Sequence, residues 1–344
     1  MAAAAGLASA SQFRDALPGL AGRIHAAAEA QVTLGHKGYR FAWAELLAAG
    51  RVKRQRELTR ELTFRAAKAL PARLPSDQAR AEFFDCQGTG AGEFLLPQLD
   101  PATKLDSEAL RVCIRARLLL PFPCQSTASL ADDPTTHCHK RAQSGKVCGS
   151  AIRGEQDKRA WWCSTGGAAL HGHHNLRDWL GRWLLERTGS SASLEDVTEQ
   201  LVPQWNRTGR KRNAQGEMED VLEEARLDNV FTDKSGLLTY VDVTFQTPGA
   251  GEAAVLKRRA ASATAGLQDA VGAKLRRYPP EKHPAVGFVA FAVGALGRLS
   301  PEARGLLGSM ARGSADTRGA YQAVSFLTQQ RLADVLRASE PRVQ

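Results

Sequence analysis

Hydrophobic positions fall into a regular pattern from residue 171 onward. Leu176, Trp179, Leu180, Trp183 and Leu184 follow the i, i+3, i+4, i+7, i+8 spacing of one helix face. Residues 225–232 and 238–245 then read as two strands, joined by the turn Asp233-Lys234-Ser235-Gly236. A helix is predicted over 252–278, stopped by Pro279-Pro280, followed by an apolar strand over 285–293 and a final helical stretch. This order of elements predicts an α/β unit spanning residues 169–344. Residues 1–75 read as helical, rich in alanine and basic around Arg51–Arg56, with Pro71 and Pro75 at their end. Residues 76–123 read as a connector, glycine-rich from Cys86 to Gly92, with a short helix at 107–120. Residues 124–168 show no periodicity and hold most of the cysteines. Such a segment cannot bury a core of its own, so a metal or a neighbouring domain must order it.

Composition changes this picture in one respect. The 344 residues are 43% hydrophobic and 24% charged, which is ordinary for a globular protein, but the formal net charge is +10. Three basic clusters contribute: Arg207, Arg210, Lys211 and Arg212; Lys257, Arg258 and Arg259; Lys274, Arg276 and Arg277. Such clusters suit a polyanionic partner and equally a solvated basic surface. No stretch reaches the roughly 18 apolar residues of a membrane span. The opening Met1–Ala5 run lacks the basic flank and cleavage pattern of a signal peptide, so a cytosolic or nuclear location is expected.

The strand pattern brings two acids into focus. Along 238–245, Val241, Val243 and Phe245 point to one face, while Tyr240, Asp242 and Thr244 point to the other. Folding the segment back on the Asp233–Gly236 turn places Asp228 nearly opposite Asp242. Directly opposed residues lie about 4.5–5.5 Å apart at Cβ, where like charges repel. The pair therefore needs a proton or a cation between the carboxylates, and hard oxygen ligands suit Mg²⁺ or Mn²⁺. The alternative is two exposed strand-end aspartates that never meet.

The segment Arg226-Leu227-Asp228, thirteen residues, then Asp242 resembles the signature of the restriction-endonuclease-like nucleases of site-specific non-LTR retrotransposons, part of the PD-(D/E)xK superfamily. Leu227 stands where that family usually has proline. His173-His174-Asn175 with Arg177-Asp178-Trp179-Leu180 is similar to the family's Arg-His-Asn and Arg-Asp-x-Leu element, with Cys163-Ser164-Thr165-Gly166-Gly167 just before it. Glu199 matches the acid of the preceding strand, and Lys274 with Tyr278 matches the Lys/Tyr pair of the following helix. The superfamily's lysine often lies two residues after the second acid, a position held here by Thr244. The similarity covers roughly residues 80–310; its motifs are individually weak and specific in their order and spacing.

The resemblance implies an α/β fold with a restriction-endonuclease-like core and flanking helices. It implies a Mg²⁺-dependent DNA endonuclease in which Asp228 and Asp242 hold the metal, Lys274 stabilises charge, and Glu199 and Tyr278 assist. His174, Arg207, Arg210, Lys211, Arg212, Arg276 and Arg277 are the expected contacts to DNA, with element RNA a further partner, and the nucleus is the expected location. Each residue also has a plainer reading: Asn175 as a helix cap, Glu199 as a surface acid, Lys274 and Tyr278 as an ordinary i, i+4 pair.

Cys138, nine residues, Cys148, fourteen residues and Cys163 resemble the family's zinc knuckle. The histidine position holds Arg159, which has no lone pair to offer a metal. A fourth Zn²⁺ ligand would come from His139, His137, Cys124 or His171; the alternative is a knuckle that no longer binds zinc. Ala131-Asp132-Asp133 is followed by Pro134 rather than a hydrophobic strand, so no polymerase activity is expected. The competing functional reading is a non-catalytic, truncated remnant that binds nucleic acid through its basic patches.

Overall fold

The structure, a computed structural model, describes residues 68–96, 104–118, 136–137, 148, 151–152, 167–212, 216–248 and 253–337. The chain divides between residues 72 and 73, and the unit Arg73–Gln344 carries the elements of interest. It is a mixed α/β structure. In chain order its main elements are α1 (Asp77–Asp85), α2 (Ser107–Arg117), α3 (Ala168–Thr188), the one-turn α4 (Leu194–Val197), β1 (Thr198–Leu201), β2 (Arg207–Arg212), β3 (Met218–Glu223), β4 (Arg226–Thr232), β5 (Leu238–Gln246), α5 (Ala253–Ala261), α6 (Ala265–Arg277), β6 (Gly287–Gly294), α7 (Pro301–Met310) and α8 (Ser314–Arg337).

Four strands make the central sheet in the order β1-β4-β5-β6. The first two junctions are antiparallel and β5–β6 is parallel. A parallel neighbour needs a crossover, and α5 with α6 supplies it. The helix predicted over 252–278 is thus two helices, broken at residues 262–264. β2 and β3 form a separate two-stranded hairpin.

Alternation along the strands sorts the layers. On one face Val241, Val243, Phe291 and Val293 meet Leu176, Leu180 and Leu184 of α3, Leu306 and Leu307 of α7, and Val324 of α8. On the other, Ala290 and Ala292 meet Leu267, Ala270 and Val271 of α6. Small residues on that side of β6 let α6 approach closely. An aromatic cluster continues this layer, with Trp205 touching Tyr240, Tyr278 and Phe288 at ring-centroid distances of 5.7–5.8 Å.

The residues read as a connector dock into the same unit. α2 brings Val112, Cys113 and Ala116 against Leu296 and Leu332, beside Phe94. Arg117 donates to the carbonyl of Leu296 at 2.5 Å and to that of Ala91, and Arg298 donates to the Phe84 carbonyl at 3.0 Å. Asp85 is buried at this junction and accepts the Leu296 N–H at 2.8 Å. Gly294 is required here, because a Cβ on it would overlap the Asp85 carboxyl.

Burial pushes the Asp85 carboxyl up to about 7, although the Leu296 N–H, Arg298 and Arg117 all favour its ionised form. A folded-state value above the unfolded 3.8 means the native state holds the proton more tightly, so stability falls as pH rises from 3.8 to about 7. Asp85→Asn keeps an acceptor for Leu296 and removes the ionisation. The variant should match wild type in acid and melt above it on the alkaline side, by thermal denaturation across pH. A loss of stability confined to the alkaline side would show that ionised Asp85 acts as a charge partner for the arginines.

Candidate functional site

The site forms where β4 and β5 part. The tight turn between them is held by Asp233, whose carboxylate accepts the N–H groups of Ser235 (2.8 Å) and Leu237 (3.0 Å), and by Gly236 at φ 84°. From Thr232↔Leu238 the ladder runs to Asn229↔Val241. One step further, side chains replace it. The Val243 N–H donates to Asp228 Oδ2 at 2.7 Å, and the Val243 carbonyl receives His173 Nε2 at 3.1 Å. Asp228 and Asp242 hold the next facing positions, close enough for each carboxyl to shift the ionisation of the other.

The two acids ionise differently. For Asp228 burial opposes ionisation, but the bond and charge of His173 and the Val243 N–H outweigh it and draw the carboxyl below its ordinary value. For Asp242 burial dominates; Lys274 opposes it, the Asp228 charge adds to it, and the carboxyl is pushed up to about 7. Without a cation the two carboxyls titrate as a pair, with Asp228 the more readily ionised. Burial lowers the His173 pKa, but Asp228 and the Val243 carbonyl more than compensate, so the net direction is upward. Its Nε2–H is shared between the carboxylate, at 3.3 Å, and the carbonyl. Lys274, in the last turn of α6, places Nζ 2.7 Å from Asp242 Oδ2.

Glu199 and Tyr278 are placed otherwise. β1 pairs Thr198 with Asn229 and Gln200 with Leu227, so Glu199 occupies the position across from Asp228. Its backbone has φ 52°, which disfavours a residue with a side chain. Its exposed carboxylate pairs with Arg177, which also binds Asp178 at 2.7 Å, and makes no bond with the acid pair. Tyr278 is buried in the aromatic cluster, with its hydroxyl 3.5 Å from the Arg226 carbonyl. Burial, then the Asp242 charge, raise the phenol to about 12, so it stays protonated.

Several of the basic residues are engaged within the chain. In the β2–β3 hairpin Arg207 pairs with Glu223 at 2.6 Å and Arg210 with Asp220 at 3.1 Å, while Lys211 stands opposite Glu219. Much of the positive charge expected to meet nucleic acid there is matched by the facing strand; Arg212 faces Met218. Arg277 is a clamp, donating to the carbonyls of Trp205 at 2.6 Å and Glu223 at 3.3 Å. Arg276 is exposed. Asn175 lies two turns inside α3, whose N-cap is Gly167, so it caps nothing; it lines a surface cleft with Asp178, Trp179 and Phe326.

Of the cysteine-segment ligands, Cys138, His139 and Cys163 lie outside the described residues. Cys148 packs at the Phe94–Val112–Leu332 cluster. Among the described residues no group of three or more His, Cys, Asp or Glu side chains gathers to hold a metal. The acid pair offers two carboxylates, and the Val243 carbonyl is the neighbouring oxygen. That donor set suits Mg²⁺, which binds through one or two carboxylates and keeps several waters.

His173 is the residue that motif matching passes over in favour of His174. Its signal lies in helix phase, since 173, 176, 180 and 184 share a face and the last three are core leucines. His174 only abuts His173, ring centroids 5.9 Å apart. No protein-family model, curated protein or solved structure matches the chain.

The raised Asp242 carboxyl yields a pH prediction. Its folded value of about 7 exceeds the unfolded 3.8, so ionising it opposes folding, increasingly from 3.8 to about 7. A divalent cation must displace that proton, so its binding should strengthen over the same range. Mg²⁺ should therefore raise the melting temperature more at about pH 8 than at about pH 6, and the increment should vanish in Asp242→Asn. An Mg²⁺ increment of equal size at both pH values, or one retained in Asp242→Asn, would remove the pair as its binding site.

Proposed function

We propose that this chain is a divalent-metal-dependent DNA endonuclease with a restriction-endonuclease-like core, cutting one strand of a duplex by phosphodiester hydrolysis. The observation that carries this reading is the convergence of Asp228, Asp242 and Lys274 at one point from two strands and a helix. Two opposed buried carboxylates with a lysine against one of them are unfavourable for stability alone. They suit a site that takes up a cation and handles an anionic substrate.

Asp228 and Asp242 would hold Mg²⁺ or Mn²⁺. The bound ion would polarise a phosphoryl oxygen and make its water more acidic. His173 fixes Asp228 in orientation. Lys274 Nζ has donors beyond the one directed at Asp242, and these can meet charge that develops on the phosphate during reaction. The aromatic cluster and the Arg277 clamp hold the end of α6, so that Lys274, one turn upstream of Tyr278, is presented to Asp242. The motif order from Cys163 to Tyr278 gives this activity its context, a nuclear retroelement enzyme whose nick primes reverse transcription. On that reading its partners are DNA and element RNA, and Zn²⁺ is a candidate second metal.

Nicking of supercoiled plasmid with Mg²⁺ or Mn²⁺ tests the reading. Asp228→Asn and Asp242→Asn should each abolish nicking while the fold persists. Lys274→Ala should lower turnover by roughly 10²–10³-fold, as expected for a donor that meets transition-state charge. Arg276→Ala should bind DNA about as well as Lys274→Ala and retain far more nicking. Equal losses that track affinity would reduce Lys274 to a phosphate contact, and a wild type that binds DNA without nicking it would favour the non-catalytic reading.

A further inference from the structure

One largely buried cation among the described residues has no counterpart. Arg331 lies on the face of α8 that carries Val324, Thr328 and Val335, all buried. Its guanidinium carbon stands 4.3 Å above the centre of the Phe245 ring. Its stem runs against α3 so closely that a Cβ on Gly172 would lie 2.4 Å from its Cγ. Nε is buried and makes no hydrogen bond, and among the described residues no carboxylate or carbonyl pairs with the guanidinium. Burial alone draws its pKa down to about 10, so the group remains charged at neutral pH.

The other half-buried arginines behave differently. Arg117, Arg277 and Arg298 are used by carbonyls; Arg80, Arg177, Arg187 and Arg259 by carboxylates. In each case the chain supplies what a buried guanidinium needs. An unpaired charge on an otherwise buried helix face opposes folding, and methionine of similar volume would serve that face better. Among the described residues Arg331 thus lacks the partner that the other half-buried arginines have, and an anion from outside would supply one.

Its position indicates which anion. Phe245 lies three residues beyond Asp242 on β5, past the point where β4 has left that strand's edge. Gly172 immediately precedes His173, in the second turn of α3. The first turn of α3 has no acidic residue and no side-chain cap, so the positive end of its dipole adds to the field there. Phe245 faces the side of β5 opposite Asp242, and the link to the acid pair runs through α3, where His173, next to Gly172, reaches Asp228 and the Val243 carbonyl. A strand held at the acid pair can continue past His173 toward this guanidinium.

We propose that Arg331 is a phosphate-binding residue that holds a backbone phosphate of the nucleic-acid strand next to the one at Asp228 and Asp242. This rests on the endonuclease reading for the identity of the strand, but not for the existence of the anion site. Gly172 belongs to the arrangement because only glycine lets the arginine stem pass. Phe245 holds the planar guanidinium by its ring face, which leaves the edge nitrogens for the anion.

The test uses the full-length chain as wild type, Arg331→Met and Arg331→Lys, and requires no cleavage. In phosphate-free buffer Arg331→Met should melt at or above wild type, since it removes an unpaired charge. Inorganic pyrophosphate should raise the melting temperature of wild type, less that of Arg331→Lys, and not that of Arg331→Met. Fluorescence polarisation with a labelled DNA duplex in Ca²⁺ should show affinity reduced roughly tenfold in Arg331→Met, the scale of one charged hydrogen bond. The log–log salt slope should fall by about one. A clear drop in melting temperature for both variants would mean a structural arginine and overturn the proposal. So would a pyrophosphate response lost without change in DNA affinity, which would indicate a site for free anions only. If Arg331→Met loses affinity while wild-type protein never nicks, the endonuclease reading fails and the phosphate site stands.

Discussion

The arrangement depends on two carboxylates buried at the rung where β4 and β5 separate. Beyond Asn229↔Val241 the main chain of β5 loses its partner, and its polar groups need others. Asp228 supplies an acceptor for the Val243 N–H and His173 a donor for its carbonyl. The acid therefore does for β5 what a continued β4 would have done, and in doing so it is drawn toward Asp242. The repulsion between them is limited by the reluctance of buried Asp242 to ionise and by Lys274. Removing any one of these partners leaves a charge or a main-chain group unsatisfied in a buried place.

Packing around the site serves these few contacts. α3 is set down by Leu176, Leu180 and Leu184, and the same helical phase carries His173 to the Val243 carbonyl. α6 rests on the alanines of β6, and its end is fixed by Tyr278 among Trp205 and Phe288, and by Arg277 on the carbonyls of Trp205 and of Glu223 in the β2–β3 hairpin. Tyr278 and Arg277 hold the turn that presents Lys274 to Asp242. The hairpin, half neutralised in itself, is tied to the site through that clamp.

Sequence reasoning reaches the part of this that depends on period and turn chemistry. The strands at 226–232 and 238–246, the Asp233–Gly236 turn and the facing of Asp228 and Asp242 all come from alternation and a short loop. It does not reach the β2–β3 hairpin. Arg207–Arg212 and Met218–Glu223 have almost no apolar face, so alternation gives no signal, and the cations read as a binding patch until the acids opposite them are known. The break between α5 and α6 is equally hidden, because Ser262-Ala263-Thr264 carries neither glycine nor proline. Glu199 falls on the expected rung, but its pairing with Arg177 depends on a contact between α3 and β1 that no local pattern encodes. Arg331 is invisible for a related reason: an arginine in a long helix reads as solvent-facing until the packing shows its face covered.

Charge illustrates why a net value gives so little direction. The excess of +10 belongs to the whole chain, whereas the described hairpin opposes its arginines with Asp220 and Glu223, and the pairs Arg187–Asp316 and Arg258–Asp269 neutralise further cations. What matters to an incoming phosphate is the charge left unpaired near the place of reaction. At the acid pair Lys274 and His173 are each engaged with an aspartate, so the metal-free site offers little free positive charge of its own. A cation bound between the aspartates would change that balance, because the carboxylates would then turn to the metal and release some of the hold they have on Lys274 and His173. On the proposed reading, cation uptake and phosphate binding would thereby be coupled through the same side chains. Arg331, which pairs with neither aspartate, would on the proposal made above provide attraction that does not wait for that exchange.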